Sequence, residues 1–192
     1  MRAGAHDALN EEQERWRYIT STLRMMAEYD PDLIKRYRRS MLSKVMDDAL
    51  RISEAPMGNI QLFDSGSNAL RIEVEHGFRD PFLQFFDCVH CGESACGTAL
   101  KNRGPVMVQD VERSALFRNT DALEVLREAE VRAVLSIPLI GSSGSVLGVI
   151  STHWRDQSPN HGLGLVPLKR LADCTARWIE ERGFTFVQSR VL

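Results

Sequence analysis

Little in this 192-residue sequence is extreme, and each shortage closes off a class of explanation. There are only four cysteines, three of them between Cys88 and Cys96. That distribution does not suit a secreted disulfide framework, so reduced thiols are expected. Apolar runs such as AVLSIPLI stop well short of a membrane span, and the opening MRAGAHDALNEEQERW is too polar for a secretion signal. Charge of one sign is missing too: 24 Lys and Arg against 26 Asp and Glu leave a formal −2. General attraction to nucleic acid or to an anionic membrane is therefore not expected. These shortages together predict a cytoplasmic protein with no nucleic-acid partner and no membrane partner.

What is present suits one folded domain with a helical extension: 43% hydrophobic residues can bury a core, and 26% charged residues can cover it. Residues 1 to 10 carry no periodicity. From Glu11, the apolar residues Trp16, Ile19, Leu23 and Met26 recur at helical spacing until Asp30-Pro31. A second helix is predicted from Pro31 to about Glu54, with Ile34, Tyr37, Met41, Val45 and Ala49 as its apolar stripe. Its basic run KRYRRS reads as a solvated face.

From Met57 the period changes to two. GNIQLFD, the turn SGSN and ALRIEVEHG form a hairpin, PVMVQDV (Pro105 to Val111) a third strand, and AVLSIPLI, GSSG and SVLGVISTHW a second hairpin. Pro138 places its strand at an edge or at a bulge. Helices are predicted at Asp121 to Ala129 and from Pro167 to a stop at Gly183, the latter with Leu168, Leu171, Ala172, Thr175, Trp178 and Ile179 on one face. Apolar stripes on terminal helices, with Trp16 and Trp178, predict a homodimer.

Between the first hairpin and the third strand lies GFRDPFLQFFDCVHCGESACGTAL, Gly77 to Leu100, which holds four of the eight phenylalanines and three of the four cysteines. It is expected to wall a small-molecule pocket, since such sites are mostly apolar with a few placed polar groups. Phe82, Phe85 and Phe86 are the candidate wall, with His90 and Cys96 beside them. Asn59 and Gln61 on one strand and Ser136, Ser151 and His153 on the later hairpin are the candidate polar groups, with Asp110 a further one. Cys88-Val-His-Cys91 has zinc-like spacing, but a second knuckle to complete a structural zinc site is absent, so no metal is assigned. Loop packing or a reversible disulfide are the other uses of Cys88, Cys91 and Cys96. Ser94 reads as the cap of a short helix ending near Gly104, which puts Cys96 at a helix N-terminus.

Met57 to Glu181 resembles the GAF family of sensor domains. The matching pieces are GNIQLFD, GESACGTAL, PVMVQDV, VRAVLSIPLI and the GVIST strand, in that order. The resemblance implies an α+β fold with a central antiparallel sheet of five to six strands, terminal helices packed on one face and a loop-roofed pocket on the other. It divides the chain into a helical extension (1–30), a GAF-like domain (31–183, core 57–181) and a tail (184–192). It implies a sensory or regulatory module that binds an unidentified small molecule without turning it over and signals through its terminal helices to a downstream protein; no cofactor is named. The alternative is a thiol-based redox enzyme or switch centred on Cys96, with Cys88 and Cys91. The free methionine-R-sulfoxide reductases of this family carry a cysteine in a similar glycine-flanked loop, but they use a further downstream cysteine. Here the matching stretch, ERSALFRNTDALEVLREAEV, has none.

Overall fold

A computed structural model describes residues 30–157 and 164–182, together with the single positions Glu14, Arg17, Tyr18, Ser21, Thr22 and Met25, which are helical. The stripe residues Trp16, Ile19, Leu23 and Met26 lie outside the described residues. By packing, the chain divides into Met1–Met41 and Leu42–Leu192. The boundary falls within the first complete helix, α1 (Pro31–Ser53).

The larger unit is built on β1 (Met57–Asp64), β2 (Ala69–His76), β3 (Cys88–Val89), β4 (Val106–Val108), β5 (Ala133–Ile140) and β6 (Val146–Trp154). They form one sheet in the order β3-β2-β1-β6-β5-β4, and every pair is antiparallel. Both predicted hairpins are present, and the sheet brings them together by pairing β1 with β6. Pro138 lies beyond the reach of β4, whose pairing ends at Val106 opposite Ser136, so one side of the strand is unpaired where the proline falls.

Alternation along the strands gives the sheet two different faces. Ile60, Ile150 and Ile137 stand opposite one another across β1, β6 and β5, and all are buried. This face is covered by the last turns of α1 and by α5 (Leu165–Arg182). A Cβ added at Gly58 would lie 2.5 Å from Met46 Cε of α1, so the glycine lets helix and strand close together. The buried stripe of α1 within this unit is Leu42, Met46 and Ala49; Ala49 is as predicted, and Leu42 and Met46 stand one position on from the predicted Met41 and Val45. Met41 and Val45 are half-buried on its flank, because helical side chains three and four apart share a face broad enough to admit either line.

The opposite face is roofed by three short helices: α2 (Asp80–Phe86), α3 (Ala95–Asn102) and α4 (Asp121–Glu128). Their buried residues, Phe82, Phe86, Ala95, Ala99, Leu123 and Leu126, join Met57, Val134 and Val149 of the sheet in one hydrophobic core. Full burial of each large side chain among them contributes roughly 1.5–3 kcal/mol. Two-residue β3 carries too few residues to show a period and is absent from the sequence reading.

Candidate functional site

The site grows from one rung of the sheet. Asn59, Ser151 and Ser136 stand opposite one another on β1, β6 and β5, so three polar residues far apart in sequence form a row on the roofed face. Ser136 Oγ and Ser151 Oγ are 2.8 Å apart. Two residues along β6, His153 Nε2 lies 3.2 Å from Asn59 Oδ1. Asn59, Ser136, Ser151 and His153 are all buried, His153 to 5% exposure. Burial disfavours the charged imidazolium and drives its pKa down to about 3, so the ring is neutral at physiological pH.

Aromatic rings and a thiol close the space above the row. Phe82 and Phe86, four positions apart on α2, share its inward face. Phe78 stacks on Phe82 with centroids 3.6 Å apart, and both rings meet His153 edge to face, at 5.0 and 5.7 Å. On the α3 side, Ser94 caps the helix by accepting a hydrogen bond from the Gly97 N–H at 3.2 Å. Its hydroxyl also lies 2.9 Å from Cys96 Sγ. Burial pushes the Cys96 thiol pKa up, and the hydrogen bonds from Ser94 and Gly97 offset this only in part. Gly97 is required by close approach: a Cβ there would lie 2.3 Å from the His90 carbonyl oxygen.

These groups enclose a small cavity lined by Asn59, Ser136, Ser151 and His153 below and by Phe82, Phe86, Ser94 and Cys96 above. Its volume is about 20 Å³, space for about one water. Seven of the eleven predicted ligand residues therefore meet at one place: Asn59, Phe82, Phe86, Cys96, Ser136, Ser151 and His153. Four do not. Phe85 is 41% exposed, because it stands about 100° round the helix from Phe86. Gln61 shares the face of Asn59, but its Nε2 donates to the Phe86 carbonyl at 2.9 Å and so anchors the end of α2 rather than lining the cavity. His90 is exposed, with Nδ1 3.4 Å from the Asn68 carbonyl oxygen. Asp110 lies in a separate groove, where its carboxylate accepts from Arg132 Nη2 at 3.1 Å and from Gln157 Nε2 at 2.6 Å.

The cysteines differ sharply in setting. Cys96 is buried, Cys88 half-buried and Cys91 exposed, and all are free. Among the described residues, no group of three His, Cys, Asp or Glu is placed to hold a metal ion. No described helix is long and apolar enough to cross a membrane. Sequence reasoning missed Phe117, Leu126 and Val134, which also line the cavity. Val134 could have been found, since it lies two residues before Ser136 on the same strand; Phe117 sits in an aperiodic stretch with no such signal.

A family model described as the GAF domain matches residues 38–161. No curated protein sequence matches the chain. Among solved structures, the type II free methionine-R-sulfoxide reductase from Thermoplasma acidophilum is similar at 15% identity and a TM-score of 0.63, over 80% of this chain and 98% of that one. The GAF domain/HD domain protein from Geobacter sulfurreducens is similar at 16% identity and a TM-score of 0.61, over 77% of this chain and 93% of that one. The free methionine-R-sulfoxide reductase from Neisseria meningitidis, solved with its substrate, shares 18% identity at a TM-score of 0.55, over 79% and 86% of the two chains. At these identities the similarity establishes the fold, which sensors and reductases share.

Proposed function

The chain belongs to the GAF family, and we propose that it is a regulatory module that binds a small molecule between the sheet and its roof. The observation that carries this reading is the buried polar row of Asn59, Ser136, Ser151 and His153, set within an otherwise apolar, aromatic-walled cavity. Burying four polar side chains costs free energy that an all-apolar core would avoid, and a few convergent polar groups in an apolar hollow are how ligand sites obtain orientation and specificity. With about 20 Å³ open, binding requires the α2 and α3 roof to move. The same strands carry α5 on their other face, so a shift of β5 or β6 on binding reaches a terminal helix directly. In this reading the terminal helices pair two copies of the chain and pass the change to a downstream protein.

Native mass spectrometry on freshly purified protein, against a denatured control, tests the reading. A noncovalent mass that denaturation removes, and that the cavity-filling variant Ser136→Leu lacks, is expected; the same spectrum reports the dimer. A clean mass for wild type and variant alike would count against it.

The place of Cys96 in the cavity lining favours a second reading, a thiol enzyme acting on a molecule held there. A thiolate is the nucleophile in such chemistry, whereas burial here favours the thiol. Reduction of a sulfoxide also needs a second thiol to resolve the product. The binding reading asks neither of Cys96.

A further inference from the structure

The lining of the cavity is specific about charge. Its polar residues are Asn59, Ser94, Cys96, Ser136, Ser151 and His153, and no Asp, Glu, Lys or Arg is among the described lining residues. An ion buried there would be desolvated with no opposite charge beside it, at a cost of several kcal/mol.

The lining is also specific about hydrogen bonding. An asparagine carbonyl oxygen only accepts, so the contact of His153 Nε2 with Asn59 Oδ1 puts the proton on Nε2 and leaves Nδ1 a bare lone pair. Nδ1 is buried and has no partner among the described residues. The two serine hydroxyls are engaged with each other, as are Ser94 and Cys96. Within the row, Nδ1 is thus the atom that lacks any partner among the described residues, while each serine oxygen already has one. The ring is neutral well below physiological pH, so it keeps that lone pair under ordinary conditions.

Room for more than a water comes from next door. A second hollow of about 180 Å³ lies between α2 and α4; Phe78, Pro81, Val125 and Ala129 line it together with two charges of each sign, Arg79, Arg155, Glu128 and Glu130, of which Arg155 and Glu130 pair with each other. Phe82 borders both spaces. If Phe82 swings aside, the hollows join into a slot flanked by aromatic rings, with His153 at its inner end.

We infer that this slot takes a small uncharged aromatic heterocycle or phenol-class molecule, whose N–H or O–H donates to His153 Nδ1 while its ring packs against Phe78 and Phe82. The inference rests on the small-molecule reading of the cavity and names the ligand class. A molecule without the donor leaves Nδ1 unsatisfied, and a site built around such a bond discriminates strongly against the analogue that lacks it.

Three near-isosteric probes separate the requirements: indole donates an N–H, benzofuran does not, and indole-3-carboxylate adds a negative charge. Affinities come from ligand-observed NMR on the full chain, and the ¹⁵N resonance of His153 Nδ1 is followed in parallel. Indole is expected to bind at least tenfold more tightly than benzofuran, with the carboxylate weakest, and to move the Nδ1 resonance where benzofuran does not. His153→Phe is expected to remove the difference between indole and benzofuran. Should that variant not fold, the wild-type Nδ1 shift still decides the point. Equal binding of indole and benzofuran, tightest binding of the carboxylate, or no binding of any probe would each overturn the inference. If a native bound mass persists while indole fails, the ligand class is wrong and the pocket reading stands; if both are absent, both fall.

Discussion

The two faces of this sheet are made from alternate residues of the same three central strands, yet they follow opposite rules. On the helix-covered face, Ile60, Ile150 and Ile137 meet across β1, β6 and β5. One residue along each strand, on the roofed face, Asn59, Ser151 and Ser136 meet instead. Both rows are buried. The first gains its stability from apolar burial alone, whereas the second pairs most of the polar atoms it hides and leaves His153 Nδ1 without a partner among the described residues. On the helix-covered face, Thr152 departs from this rule, and its Oγ1 has no partner among the described residues. The contrast teaches that burial alone does not mark a core. The row that gives up stability is the row with a reason to hold a ligand, and function is expected there.

The widest gap between the faces is predicted for neighbouring residues on β5. Leu135→Ala removes a fully buried side chain from the helix-covered face and is expected to cost about 2–5 kcal/mol, the range for cavity-forming truncations. Ser136→Ala on the other face strands the Ser151 hydroxyl and should cost about 1–3 kcal/mol. Urea denaturation of both variants checks the ordering, and equal losses would erase the distinction.

A second contrast lies in pH. The helix-covered row does not titrate, whereas the folded state holds His153 neutral down to a pKa of about 3 against 6.5 for a free imidazole. Between these values the unfolded chain binds the extra proton, so stability rises with pH through the window and is lost as pH falls from about 6.5 towards 3. The slope approaches about 1.4 kcal/mol per pH unit from this group. Denaturation midpoints for wild type and His153→Phe across pH 4 to 7 should differ in slope by that amount at most; parallel curves would show the imidazole exposed.

The smallest effect is expected when the polar row is simplified as a pair. Ser136→Ala combined with Ser151→Ala removes both hydroxyls together and leaves neither stranded, so the double variant should lose less stability than the sum of the singles. A double-mutant cycle reads the coupling, and strict additivity would mean that the 2.8 Å contact contributes nothing.

The legible parts of this chain were those with a local cause. Period-two alternation is a property of neighbouring residues, so both hairpins, and the shared face of Asn59 with Gln61 and of Ser151 with His153, could be read directly. Ser94 announced the cap of α3 by its residue type and position, and it does cap. The spacing of Phe82, Phe85 and Phe86 fits a helix, but which two face inward depends on where the sheet lies. Gln61 looked equivalent to Asn59 until α2 came to rest with the Phe86 carbonyl within its reach. Asp110 found Arg132, 22 residues on, through the fold and not through its neighbours.

The sequence by itself determined the two hairpins, the third strand and the longer helices with their order, the change of period at Met57 and the concentration of aromatic residues in the stretch that became the roof, but not β3. These follow from backbone preference and from the spacing of apolar side chains, both of which act over a few residues. Tertiary structure decided the rest. Pairing β1 with β6 brought together positions more than 90 residues apart, His153 against Asn59, and so made a polar row out of scattered residues. Packing of the roof against that row set the cavity at about 20 Å³, took Phe85 and His90 out of it and buried Cys96. Register and close packing belong to the whole fold, because each depends on every strand and helix that presses on it.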